Sequence, residues 1–263
     1  MVVLITGASG GFGGVLAELL VREGLPVYGT CRNPGQNDAD RPFPMLPMEI
    51  TDDASVEKCI LEVLEREGRI DVVVNCVNEM MIGTVEEQTI DEVKALYDTN
   101  VFGSLRVCQK VLPVMRKQGS GLIVNMSSLG GLLAVPTMSA YTSSKFALEA
   151  LSEALYHELR GTGIDVVIMQ PVAMAMDRPA TGAHLHTVKN VTDGSMSLRM
   201  LDRMERDTAS SGLTPEAVAK RVHSLITSSK RPLRVPMDRA KVLSIVKRLV
   251  PQSVIDRMIG GLL

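Results

Sequence analysis

Val2-Val3-Leu4-Ile5-Thr6-Gly7-Ala8-Ser9-Gly10-Gly11-Phe12-Gly13-Gly14 is the stretch that decides the fold. Residues 2–6 make a short apolar run, the pattern of a strand buried on both faces. The glycines then open a turn, and Val15, Leu16, Leu19 and Leu20 carry the chain onward as a helix to Gly24. Such a turn leaves backbone N–H groups pointing out of an open helix end, where a pyrophosphate can sit. Glycine also serves ordinary turns. The place of this one, after the first strand of an alternating chain, is what points to a nucleotide phosphate.

Strand and helix signals alternate from there. Residues 26–31, 45–50, 72–76, 122–126, 164–169 and 232–235 read as further strands. Thr51-Asp52-Asp53 caps a helix through Val56, Ile60, Val63 and Leu64. Thr89 or Asp91 opens a long helix carrying Val93, Leu96, Asn100, Val101, Val107, Val111 and Leu112. Another carries Tyr141 and Lys145 and runs on through Phe146, Ala147, Leu148, Leu151, Leu155 and Leu159, and Thr214-Pro215-Glu216 starts one more. This order predicts an α/β fold, a Rossmann-type doubly wound parallel sheet of about seven strands with helices on both faces and a C-terminal helical extension.

At 263 residues the chain suits a single domain over 1–263 and is short for two. A net charge of −2 gives no reason to expect nucleic acid or an acidic polymer. No stretch approaches a membrane span, residues 1–5 lack a basic leader, and the expected location is the cytoplasm. Cys31, Cys59, Cys76 and Cys108 have no paired spacing and read as reduced thiols rather than a disulfide framework or metal site. His184-x-His186 has no accompanying ligand cluster, so no metal is expected. Aromatic residues are 3% of the chain while methionine numbers 16, so the apolar interior is aliphatic and deformable.

The second strand ends at Cys31-Arg32-Asn33, with no acid before Asp38. In such folds the residue past this strand reaches the adenosine ribose. A carboxylate there binds the 2′-hydroxyl of NAD, and an arginine suits a 2′-phosphate, so NADP(H) is favoured over NAD(H). Tyr141 and Lys145, four apart on a helix, share a face. A phenol beside an ammonium is an acid whose anion is stabilised, so the tyrosine is expected below its free value near 10. Ser128 lies thirteen residues ahead of it.

Together Thr6-Gly7-x-x-x-Gly11-x-Gly13, Asn100, Ser128 and Tyr141-x-x-x-Lys145 resemble, in order and spacing, the short-chain dehydrogenase/reductase family, closely over roughly residues 2–175. The resemblance implies Tyr141 as general acid/base, Lys145 as the cation that lowers its pKa and holds the nicotinamide ribose, and Ser128 (with Ser127 as rival) as the group orienting the substrate oxygen. It implies Asn100 as support for a water reaching Lys145. Cofactor contacts are implied at Thr6, Gly7, Ser9, Gly11, Phe12, Gly13, Arg32, Glu49, Ile50, Asn75, Cys76, Tyr141, Lys145, Pro171 and Val172.

Three departures from the family pattern stand out. Asn75-Cys76-Val77-Asn78 replaces Asn-Asn-Ala-Gly, Glu49 stands where an aspartate is common, and Met169-Gln170-Pro171-Val172 with Met174 replaces Pro-Gly-Pro-Val with a nearby threonine. Residues 173–212 read as an irregular substrate lid. With Ser128, Tyr141, Met138, Met174, Met80, Met81 and Leu132 they are expected to form an apolar pocket for a small hydrophobic alcohol or ketone. Residues 238–263 read as two amphipathic helices broken at Pro251, resembling the tails of hydroxysteroid- and retinol-type members and expected to pack on their own domain. The resulting expectation is an NADP(H)-dependent oxidoreductase interconverting a secondary alcohol and ketone, with a homo-oligomer allowed. A non-catalytic nucleotide-binding sensor and a reductase of carrier-bound acyl or polyketide intermediates are the alternatives.

Overall fold

The computed structural model describes residues 1–35, 40–175 and 185–260. In chain order the elements are β1 (Val3–Thr6), α1 (Gly11–Arg22), β2 (Val27–Cys31), β3 (Met45–Pro47), α2 (Asp53–Glu67), β4 (Val72–Asn75), β5 (Met80–Ile82) and α3 (Ile90–Tyr97). A π-helical turn (Asp98–Gly103), α4 (Ser104–Gln118), β6 (Gly121–Met126), a 3₁₀ turn (Leu129–Gly131), α5 (Ser139–Glu158) and β7 (Ile164–Gln170) follow. The chain continues with β8 (Leu185–Thr187), α6 (Met196–Ala209), α7 (Pro215–Thr227), β9 (Arg234–Pro236), α8 (Arg239–Leu249) and α9 (Gln252–Gly260).

Seven strands form one parallel sheet in the order β3-β2-β1-β4-β6-β7-β9. Strand side chains alternate between faces, and the core divides accordingly. Val3, Ile5, Val72, Val74, Leu122 and Val124 pack with Leu16 and Leu20 of α1 and Val218 and Val222 of α7. Val2, Leu4, Val73, Ile123 and Val166 pack on the other side with Val56 and Ile60 of α2 and Val107 and Val111 of α4. Both faces are covered, which is why the strands read as unbroken apolar runs. Strand order reverses between β1 and β4, and a crevice opens beyond the carboxyl ends of strands at such a point.

Helix boundaries follow local chemistry. Asp52 caps α2 by accepting from the Ala54 N–H, and Gly68, at φ +70°, ends it. Thr89, not Asp91, caps α3, in a reciprocal capping box with Glu92. The helix expected to run unbroken to Leu112 is instead α3, the π turn and α4. The third strand stops at Pro47 rather than residue 50, because Glu49 begins the turn into α2: the Asp52 N–H bonds its carbonyl. The segment expected to be irregular contains α6, and β8 pairs with β5 in a small parallel sheet outside the main one. The tail is helical on both sides of Pro251; Ala240 and Ile255 are buried, while Val242, Ile245 and Leu249 face outward. Among the described residues, no helix is long and apolar enough to cross a membrane.

Candidate active site

At the end of β1, Gly7 takes φ +70° and Gly11 φ +53°, backbone conformations that disfavour side chains. A Cβ on Gly13 would lie 2.4 Å from the Gly7 carbonyl oxygen, so α1 can start this close to the strand only with glycine there. Gly10 precedes α1 without a side-chain cap, and no acid occupies the first turn. The helix therefore presents uncapped N–H groups to the crevice, a cradle that fits a dinucleotide pyrophosphate.

The crevice encloses about 1200 Å³. Of the expected cofactor residues, Gly7, Ser9, Gly11, Phe12, Gly13, Arg32, Glu49, Ile50, Cys76, Pro171 and Val172 line it, together with Ser128, Met138, Tyr141, Lys145 and Met174. Thr6 and Asn75 are not on that lining. Thr6 Oγ1 accepts from the Cys76 and Val77 N–H groups, at 3.0 and 3.4 Å, tying β1 to the chain after β4. Asn75 Nδ2 donates to Asn125 Oδ1 at 2.8 Å, and Asn125 Nδ2 to Ser152 Oγ at 2.8 Å, a buried stitch from β4 through β6 to α5. Both side chains brace the sheet under the crevice.

Tyr141 and Lys145 lie one turn apart on α5, with 6% and 1% of their surface exposed. Lys145 Nζ is 5.8 Å from the Tyr141 ring centroid and donates to the Met126 carbonyl at 2.9 Å. The Ser128 side chain hydrogen-bonds the Tyr141 phenol, and Ser128 Oγ also accepts from the Gly130 N–H at 3.1 Å. Gly130 has a packing reason, since a Cβ there would come within 3.0 Å of the Tyr141 ring. Ser127, the rival, is 5% exposed with a hydroxyl that has no partner among the described residues. Ser128 is the serine on the phenol.

The expected lowering of the Tyr141 pKa by Lys145 is not found. Burial pushes the phenol up, with the Ser128 hydrogen bond acting against it. Lys145 is itself pulled down to about 8 by burial, opposed by Cys76 and Glu149. Burial disfavours charge on both members of the pair, and the ammonium spends a proton on the Met126 carbonyl.

Asn100 is fully buried on the π turn and outside the crevice lining. Its Oδ1 accepts from the Glu79 N–H at 2.7 Å, and its Nδ2 donates to the Glu79 carbonyl at 2.8 Å and to Ser144 Oγ at 3.3 Å. These bonds hold the strand after β4 against α5. π turns gather at functional sites because they re-aim a side chain within a helix.

At the adenosine end, the Glu49 carboxylate accepts from the Thr51 N–H and hydroxyl at 3.1 and 2.8 Å, so it is taken up by its own turn. Arg32 is exposed on the lining. The Arg41 guanidinium, which the motif reading missed, donates to the Ser9 carbonyl in the phosphate loop and lies 5.8 Å from the Phe43 ring centroid. Nothing in its neighbours marks it in sequence, because Ser9 lies 32 positions away along the chain.

Met138, Ile82 and Met200 pack on Tyr141, with Met80, Val135, Leu201 and Met204 around them. Met200 and Met204 come from α6, and their four-residue spacing after the Ser195 cap was the available signal for that helix. Met81 and Leu132, expected at the pocket, are not on the lining; Met81 is buried with Leu96 and Val188. Thr137 has φ +62°, a strained setting for a β-branched residue just before Met138. Met176, Pro179 and His184, and the His186 side chain, lie outside the described residues.

The start of α6 is anchored by Glu87, whose carboxylate accepts from the Thr84 N–H at 2.8 Å, from Ser197 Oγ at 2.5 Å and from the Ser195 hydroxyl. The Ser195 and Ser197 hydrogen bonds push its carboxyl down from 4.5 to about 2. A carboxyl lowered on folding stabilises fully above its unfolded value, and that contribution fades as pH falls through about 2. Glu87→Gln should therefore speed amide exchange across Met196–Ala209 at neutral pH while leaving β1 and β4 protected. Equal protection of α6 in variant and wild type would show that the anchor carries no weight.

A family model described as short chain dehydrogenase matches residues 1–181. The chain belongs to the short-chain dehydrogenase family. It is thus an oxidoreductase acting on CH–OH groups with a nicotinamide dinucleotide as redox partner. This dehydrogenase is 30% identical over 265 residues to the oxidoreductase YbbO of Escherichia coli strain K12, covering 98% of this chain and 94% of that one. It is 40% identical over 170 residues to a 3-ketodihydrosphingosine reductase of Bacteroides thetaiotaomicron; that match takes in 65% of this chain and 62% of the relative, less than two thirds of its length. A short-chain dehydrogenase from Streptomyces avermitilis superposes with a TM-score of 0.85 at 32% identity, over 97% of both chains.

Proposed function

We propose that this dehydrogenase is an NADPH-dependent reductase of apolar ketones, working through Tyr141. The observation that carries the reading is that Ser128, Tyr141 and Lys145 share one crevice with the glycine cradle. Gly7, Gly11 and Gly13 would admit the pyrophosphate to the start of α1, and Lys145, Pro171 and Val172 would border the nicotinamide half. A bound nicotinamide supplies the hydride, which no protein side chain can.

The remaining work belongs to this chain. Ser128 Oγ and the Tyr141 hydroxyl, already bonded to each other, would grip a carbonyl oxygen from one side. The phenolic proton passes from Tyr141 to that oxygen as it becomes an alkoxide, and the Lys145 ammonium stabilises the tyrosinate left behind. Burial that raises the phenol keeps it protonated near neutral pH, as the reducing direction needs. The described residues of the 173–212 segment that reach Tyr141, Met200, Leu201 and Met204 of α6, serve as the cover. That cover, with Met138 and Met80, brings thioethers against Tyr141, an adaptable wall for an apolar body. The name of the Bacteroides relative, a ketone reductase, agrees with this direction. The rim mixes Arg203 and Arg239 with Glu205 and Asp207, rather than forming the basic collar an acidic carrier would need.

NADPH is preferred because Arg32 lines the adenosine end, Arg41 sits on the Ser9 carbonyl, and Glu49 is committed to Thr51. Arg32→Asp should lower the ratio of kcat/KM for NADPH over NADH by about 10–100-fold, the worth of one charge-assisted contact. An unchanged ratio, with wild type preferring NADPH, would remove Arg32 from the argument. Screening wild type against apolar and polar ketones by NADPH absorbance tests the substrate class. Equal turnover of both sets would defeat it.

A further inference from the structure

One turn beyond Lys145 the same face of α5 carries Glu149, so Tyr141, Lys145 and Glu149 form a buried column at four-residue steps. A carboxylate is rarely interior without partners. This one has two, and they come from different strands. Gln170 Nε2, at the end of β7, donates to Glu149 Oε1 at 2.9 Å. Arg234 Nε, from β9, donates to Oε2 at 2.9 Å, and Arg234 Nη2 donates to Glu153 Oε2 at 2.8 Å. Gln170 stands where the family pattern has glycine, directly before Pro171 and Val172 on the crevice wall. This departure from the family pattern thus supplies the amide that orients Glu149.

We propose that Glu149 is a positioning residue of the proton-transfer site: clamped by Gln170 and Arg234, its negative charge keeps the Lys145 amine in the ammonium form beside Tyr141. The inference rests on the Tyr141–Lys145 reading given under Proposed function. Its physical need is clear from burial, the largest influence on the amine, which holds Lys145 down at about 8 even with Glu149 acting against it. Tyr141 faces the amine from its own helix, and Cys76 from the end of β4. Burial pushes both of those groups up and keeps them neutral. Among the described groups acting on Lys145, Glu149 is left as the anion. Arg234 faces Glu149 from β9 and offsets part of its charge, while Glu153 draws on the other side of the same guanidinium.

Two variants should move the amine in opposite directions. Glu149→Gln keeps the shape but removes the charge, so the Lys145 titration midpoint should fall by about one pH unit or more, as expected for a charge one helical turn away. Arg234→Met frees the carboxylate of its competing cation, so the midpoint should rise. The measurement is NMR of protein carrying ¹³C-labelled lysine, with the Lys145 signal assigned by its loss in Lys145→Met, and with no cofactor or substrate added. The alkaline limit of kcat/KM for alcohol oxidation should fall with the midpoint in Glu149→Gln.

A purely structural clamp would lower Tm in both variants and move the amine in neither; that result, or a shift of the same sign in both, overturns the proposal. If Glu149→Gln does not fold, Arg234→Met decides alone, with a rise in support and no rise against. Tyr141→Phe separates the two levels. Persisting turnover in that variant sinks the catalytic reading, whereas an unmoved amine in Glu149→Gln sinks only the role of Glu149.

Discussion

Tyr141→Phe should lower kcat for ketone reduction by about 10²–10⁴-fold, the usual worth of a positioned general acid. The variant keeps the ring, and with it the packing against Ile82, Met138 and Met200. Only the hydroxyl is lost, along with its bond to Ser128. Stability should therefore change little, and the glycine cradle lies on β1 and α1, away from the substitution. Cofactor affinity measured by calorimetric titration should survive while turnover does not. A kcat within tenfold of wild type would mean that some other donor, or water, protonates the product. The size of the effect depends on the burial that raises the phenol: it keeps Tyr141 loaded with its proton and excludes a substitute from solvent.

Gly13→Ala should be a strongly damaging single-methyl change at the mouth of the crevice. Its Cβ would stand 2.4 Å from the Gly7 oxygen and 3.0 Å from the Gly7 carbon, both backbone atoms that no rotamer change can move aside. To admit it, α1 must retreat from the end of β1, although Leu16 and Leu20 lock that helix to Val218 and Val222 of α7. Overpacking of this kind costs about 1–3 kcal/mol, or a Tm lower by roughly 2–12 °C at this chain length. Dinucleotide affinity should fall as well, because the uncapped N–H groups move with the helix. Gly14→Ala is the control. Its nearest contact would be the Ala8 carbonyl at 3.3 Å, which a shift of a few tenths of an ångström accommodates. Equal melting temperatures for the two variants would show that the close approach at Gly13 is not a constraint.

Much of the architecture could be read from local pattern. The sheet strands were visible as apolar runs because a parallel sheet covered on both faces needs apolar side chains in both directions. Thr89 and Asp52 announced their helices through the hydroxyl and carboxylate that satisfy the first N–H groups. Motif spacing likewise brought Ser128, Tyr141 and Lys145 to one place. The pattern was less reliable where a side chain's partner is remote in sequence. Thr6 and Asn75 carry a motif signal, yet they bond Cys76 and Asn125 and support the crevice from behind. Met196–Ala209 read as irregular because the apolar residues Met200, Leu201 and Met204 face Ile82 and the Tyr141 wall rather than the main sheet.

The amino-acid order by itself determined the alternating α/β plan, the glycine turn that receives phosphate, and the four-residue step between phenol and amine, since each depends on neighbours within a turn or a strand. Only the tertiary structure decided the electrical state of that pair and the identity of its supports. Burial, which raises the phenol and weakens the ammonium, is a property of everything packed around them. Arg41 on Ser9, Glu87 on Ser195, and Gln170 and Arg234 on Glu149 are contacts across 21 to 108 positions of chain. Hydrogen bonds and charges act through distance in space, and the folding of the backbone sets that distance.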